Sequence, residues 1–151
     1  MKRVIYTVFL VVLILSLTAC RSREAISVTE FTSRMEEAGH SVSDQSHYFD
    51  DDPYVSTFLI ADCGTFEVEF IVFGTAERAR LVHTITRQEF EETSEGSSAR
   101  SEVNTSNFNR FRQINAGQFQ IVSRIANTVV AVVTSSDNQA EVNAVLDILG
   151  Y

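Results

Sequence analysis

The chain contains no tryptophan, one proline, six glycines, two cysteines and a single lysine in 151 residues. Without tryptophan the usual platform for stacking a sugar ring is missing. The glycines are scattered, so there is no Gly-rich phosphate loop and no Gly-x-Ser-x-Gly elbow, and His-Glu-x-x-His is absent too. Lysine is confined to Lys2, and Asp plus Glu outnumber Lys plus Arg by 20 to 12, for a formal charge of −8. Nucleic-acid binding rests on cations that neutralise phosphates, so this balance argues against a nucleic-acid partner. Long hydrophobic runs are also lacking, with one exception.

The exception comes first in the chain. Lys2 and Arg3 precede residues 4–19, which carry no charge and hold only Thr7, Ser16 and Thr18 as small polar interruptions among aliphatic and aromatic neighbours. As a helix, that stretch reaches about 24 Å against a hydrocarbon core of about 30 Å, short for a permanent span. It suits the apolar region of a secretion signal, which ends in small residues at its cleavage point. Leu17-Thr18-Ala19-Cys20 resembles the lipobox of bacterial lipoproteins. The resemblance implies that the Cys20 thiol is diacylglycerated and that the chain is cut just before it. Residues 1–19 then form a lipoprotein signal peptide, 20–26 a lipidated tether and 27–151 a single domain; an uncleaved anchor helix is the alternative. Two acyl chains, of the palmitate kind, hold a protein stably where one does so marginally. The implied location is the extracytoplasmic face of a cell membrane. Arg21 follows the cysteine, so an aspartate retention signal is not present, and which membrane stays open.

Loss of Lys2 and Arg3 takes the formal charge from −8 to −10 and leaves no lysine at all. Such a balance disfavours a basic membrane-docking surface, so the acyl groups are expected to supply the attachment. With Cys20 consumed, Cys63 is the one remaining thiol, and no internal disulfide can form in an oxidising compartment. Stability must come from packing, for which about 125 residues suffice in one domain.

Ser27 and Glu30 have the spacing of a capping box, Ile26 and Phe31 that of a hydrophobic staple, and Val28, Phe31, Met35 and Ala38 lie on one helical stripe ended by Gly39. A helix is expected over about 28–38. A short strand over 40–46 follows, the Asp50-Asp51-Asp52-Pro53 run breaks it, and residues 55–61 and 65–73 read as a pair of strands around Cys63-Gly64. Gly74-Thr75 opens a second helix whose apolar side is Leu81, Val82 and Ile85. Residues 89–107 are too polar to build core. Strands are expected again over 108–114, 119–125 and 128–134; apolar residues at every position of 129–133 mark a central strand covered on both faces. Ser136 to Gln139 cap a last helix with Val142, Val145, Leu146 and Leu149 inward and Gly150 at its end. The fold class is therefore α+β, an antiparallel sheet with helices packed mainly on one face, in the order αβββαβββα.

Few residues assemble into chemistry. Cys63 lies between Asp62 and Gly64, where a neighbouring carboxylate raises a thiol's pKa, and no motif brings His40, His47 or His83 to it. Asp44 and Asp50 to Asp52 offer oxygen ligands without the spacing of a calcium loop, and His40 and His47 lack a third zinc ligand, so no metal and no cofactor is expected. Arg110 and Arg112 alternate with Phe111 and share a strand face; with Arg124 they are the candidates for recognising a carboxylate or phosphate. Solubilising arginines paired with acids are the alternative. Residues 123–151 are similar to the ending of uncharacterised small lipoproteins of Gram-positive bacteria, a likeness that implies no activity.

The resulting expectation is a non-catalytic binding or interaction module, held on the membrane through the lipid on Cys20 and meeting an envelope protein or small ligand. A thiol-dependent enzyme using Cys63 with a histidine, and a structural envelope component, are the alternatives.

Overall fold

A computed structural model describes residues 23–93 and 99–151. The expected signal peptide and the lipobox-like residues 17–20, Cys20 among them, lie outside the described residues. Helix α1 (Val28–Glu37) starts as its capping box requires: the Glu30 amide donates to Ser27 Oγ at 3.2 Å and the Ser27 amide donates to Glu30 Oε2 at 2.8 Å. Gly39, at φ +89°, turns the chain out of the helix in a region that only glycine enters freely. Then come β1 (Ser41–Asp44), a 3₁₀ turn (Ser46–Phe49), β2 (Val55–Asp62) and β3 (Glu67–Phe73). Thr75 caps α2 (Ala76–Glu92), and β4 (Ala99–Asn104), β5 (Phe108–Asn115), β6 (Gln118–Ile125) and β7 (Thr128–Ser135) precede α3 (Gln139–Leu149).

All seven strands join one antiparallel sheet in the order β1-β2-β3-β7-β6-β5-β4. Two meanders meet where β3 pairs with β7, which puts the most apolar strand at the centre. Val129, Val130 and Val132 of β7 are buried, while Val133 emerges half-exposed. Helices α1 and α3 cover one face, packing Phe31, Met35, Val142, Val145, Leu146 and Leu149 on Phe70, Ile121, Val130 and Val132. The Phe31 and Phe70 rings stack with centroids 4.4 Å apart. Helix α2, the crossover from β3 to the far edge, covers the other face with Ala79 and Phe90 over Phe111, Val122 and Val129.

The α+β antiparallel class is what the patterning implied, with one strand more. The order is αβββαββββα, because β4 forms inside the polar stretch that carried no core signal. Its six residues are all exposed, so its pairing with β5 leaves no apolar alternation to read. A second correction concerns α2. Leu81 and Ile85, expected to face inward, are 47% and 45% exposed, whereas Ala79, His83 and Phe90 are buried. Val82 packs on the sheet as expected, and the helix is rotated so that Ala79, Val82, His83 and Phe90, rather than Leu81 and Ile85, run along it. Residues 23–26, expected to belong to a tether, make contacts with the domain. Arg23 Nη1 donates to the Gly150 carbonyl at 3.2 Å, its guanidinium lies 4.2 Å from the Phe108 ring centroid, and Ile26 is buried.

Candidate functional site

Strand alternation puts Arg110 and Arg112 on the face of α1 and α3, as expected. Arg110 Nε donates to Ser123 Oγ at 3.1 Å, its guanidinium stands over Phe108, and its Nη2 is buried without a hydrogen-bond partner. Burial, and then Arg23, pull its pKa down, with Asp147 opposing. Arg112 lines a separate cleft of about 140 Å³ with Ser101, Ile114 and Gln139.

Arg124 does not join them. Its register neighbour is Asn109, so it points to the opposite face, under α2, and is 1% exposed. There its fork is fully used: Nε donates to Asn109 Oδ1 at 2.6 Å, Nη1 to the Ala126 carbonyl at 2.7 Å and Nη2 to the Ser106 carbonyl at 3.1 Å. This arginine holds two loops together and does not meet solvent.

The residues missed in the sequence are those around it. Arg80, His83, Thr84 and Arg87 occupy helical positions i, i+3, i+4 and i+7 of α2, the spacing of a core-facing stripe, and they line a cleft of about 260 Å³ with Glu102, Asn104 and Asn109 of β4 and β5. A directed chain of hydrogen bonds forms its floor. From Arg124 it passes through Asn109 Nδ2 to Asn104 Oδ1 at 2.8 Å, and through Asn104 Nδ2 to Glu102 Oε1 at 2.7 Å. Arg87 Nη1 closes the chain 3.6 Å from Glu102 Oε2 and 3.3 Å from Glu91 Oε2, and Arg100 meets Glu91 from the other side at 3.0 Å. The Ser106 carbonyl accepts from both Arg80, at 2.9 Å, and Arg124.

His83 sits at the back of this cleft, 3% exposed, with Nε2 lacking a hydrogen-bond partner. Burial, and next the Arg124 charge, push its pKa down to about 4, with the Val122 carbonyl and Glu102 opposing. The ring is neutral at physiological pH. The signal that locates this cleft in the sequence is the polar stripe 80/83/84/87 itself, overlooked because Leu81 and Ile85 offered a more familiar one.

On the other side of α2, Glu67, Glu69 and Glu89 surround a cleft of about 310 Å³, where burial and then Glu67 raise the pKa of Glu69. Helix α2 thus separates a cationic hollow from an acidic one. Among the described residues, no group of three or more His, Cys, Asp or Glu is placed to hold a metal ion. Cys63 packs beside the cluster under α1 and α3, across the sheet from His83, and burial, then Glu141 and Asp62, push its pKa up to about 11. Among the described residues, no helix is long and apolar enough to cross a membrane.

No protein-family model and no curated protein matches this chain. The crystal structure of a GTP binding regulator from Thermotoga maritima is similar over 85% of this chain and 93% of its own length, with a TM-score of 0.50 and 14% identity. At that identity the likeness speaks for the fold alone.

Proposed function

We propose that this protein is a lipid-anchored extracytoplasmic binding module without catalysis, fastened to the membrane by acyl chains on Cys20 and binding through the cationic cleft under α2. The anchor half rests on Lys2, Arg3, the apolar stretch behind them and Leu17-Thr18-Ala19-Cys20. The observation that carries the binding half is the cleft that Arg80, His83 and Arg87 line beside β4, with His83 buried at its back while Leu81 and Ile85 of the same helix stay half-exposed. A helix gains most by burying its apolar stripe. Burying His83 with an unpartnered Nε2 and keeping Arg87 half-buried beside it, while two aliphatic side chains face water, is a cost that a binding site accounts for.

A thiol enzyme fits less well. Nucleophilic cysteines need a nearby cation or base to form the thiolate, whereas Cys63 is surrounded by burial and carboxylates. Its separation from His83 by the whole thickness of the sheet removes one of the three histidines as its base.

The test is direct. Full-length protein expressed in a bacterium is digested and its amino-terminal peptide weighed. A peptide beginning at Cys20 and carrying diacylglycerol is expected, and Cys20→Ser protein should leave the membrane fraction. An intact Met1 terminus, or an unmodified Cys20 thiol, refutes the anchored reading.

A further inference from the structure

We propose that the α2 cleft is a receptor site for a small oxyanion, of the phosphate or dicarboxylate class, gripped between Arg80 and Arg87; this rests on the reading of that cleft as the binding locus. Three observations carry it.

The first is donor supply. Arg80 spends Nη2 on the Ser106 carbonyl, and Arg87 spends Nη1 on its two glutamates. Among the described residues, the remaining N–H groups of both guanidiniums have no hydrogen-bond or ion-pair partner, and the two residues lie on the same side of α2, two turns or about 10.5 Å of helix apart. Paired guanidinium forks match the geometry of carboxylate and phosphate oxygens better than any other side chain does.

The second is charge. Glu102, the carboxylate lining the cleft, is already held by Asn104 and Arg87, so it offers little to an incoming cation. Arg124 adds a third positive charge behind the floor, locked in place by its three acceptors. His83 is neutral and contributes a polar wall without a counter-charge. These fixed positive charges are the complement of an anion.

The third is size. About 260 Å³ lies just under the lower end of the range of about 300–1,000 Å³ typical of pockets for drug-sized ligands, which favours a small occupant.

The acylated full-length protein in detergent micelles is titrated with inorganic phosphate and, separately, with malonate at constant ionic strength, and the His83 imidazole signals are followed by NMR. Saturable binding of at least one anion is expected, together with an upward move of the His83 titration midpoint, because an anion beside the ring favours imidazolium. Phosphate binding alone identifies a phosphate site, malonate binding alone a carboxylate site. Arg80→Gln, an exposed residue, should weaken binding about tenfold, the loss of one charge-assisted hydrogen bond. Arg34→Gln, on α1 across the sheet, should leave it unchanged. Absence of saturable binding for both anions, or equal effects of the two substitutions, overturns the proposal. If that happens while diacylglycerol is found on Cys20, the ligand class has failed and the anchored reading stands; if Cys20 proves unmodified while phosphate binds, the reverse holds.

Discussion

Arg124 Nε stands 2.6 Å from Asn109 Oδ1, a charge-assisted contact between neighbouring strands that is sealed under α2. From this one pair the polar floor of the cleft is oriented: Asn109 must present its amide nitrogen to Asn104, which presents its own to Glu102. The same guanidinium ties the Ser106 and Ala126 carbonyls, so it braces the loops before β5 and after β6. Arg124→Met should lower stability by roughly 2–4 kcal/mol, since several buried acceptors lose their donors at once. Arg124→Lys should recover little, because an ammonium cannot span three divergent acceptors. Urea unfolding curves for both variants, beside Arg112→Gln within about 0.5 kcal/mol of the parent, check this.

His83 gives the stability a defined pH dependence. Its folded pKa, about 4, lies below the ordinary value of 6.5, so between those limits the unfolded chain binds the proton and the folded chain does not. The penalty is absent above about pH 6.5, grows as pH falls, and is complete below about pH 4, where it amounts to roughly 3 kcal/mol. His83→Gln should remove this component, so the stability difference between parent and variant should shift in the variant's favour by that amount from pH 7 to pH 4. A difference constant with pH shows that the ring is not held neutral.

Local chemistry was legible in the sequence and register was not. Ser27 and Glu30 mark the start of α1 because both partners of the capping box lie within four residues. The all-apolar run of β7 reads as a covered central strand for the same reason. Strand β4 escaped because pairing at an edge asks nothing of its side chains: its ties run from Arg100 to Glu91 and from Glu102 to Arg87, contacts that exist only once α2 is docked. The shared face of Arg110 and Arg112 follows from simple alternation. Arg124, a candidate beside them, lies on the opposite face, which depends on the pairing of β6 with β5; a shift of one residue in that register reverses it.

The orientation of α2 has a simple consequence. Leu81 and Ile85 are 47% and 45% exposed, so Leu81→Gln and Ile85→Gln should each change stability by no more than about 0.5 kcal/mol. Ala79, fully buried against the sheet, has no room to grow; Ala79→Leu should cost about 1–3 kcal/mol by overpacking. Thermal melts of the three variants distinguish this packing from the helical stripe that periodicity favours, on which the two larger residues would be the sensitive ones.

Cys63 should be a sluggish thiol. A pKa pushed up to about 11, against 9.0 for a free side chain in the same frame, cuts the thiolate population near neutral pH by roughly a hundredfold. In Cys20→Ser protein, which carries one thiol, alkylation by iodoacetamide followed by intact mass should be slower by about that factor in buffer than in denaturant. Comparable rates would mean that the burial and the carboxylates do not act as described, and would reopen the nucleophile reading.

The hairpin between β5 and β6 stores strain at an exposed point. Asn115 pairs with Gln118, leaving Ala116 and Gly117 as a two-residue loop with φ +48° and +80°. Positive φ at both centres is the type I′ turn, whose twist matches that of the flanking strands, and its first position favours asparagine. Alanine there carries the left-handed penalty of about 1 kcal/mol without a side chain able to bond locally. Ala116→Asn, which creates the Asn-Gly pair, should therefore raise stability by about 0.5–1 kcal/mol, while Gly117→Ala should lower it by at least as much. The residues are exposed and far from Arg80, so anion binding should be untouched. An unchanged or lowered melting temperature for Ala116→Asn means that the loop is not a type I′ turn.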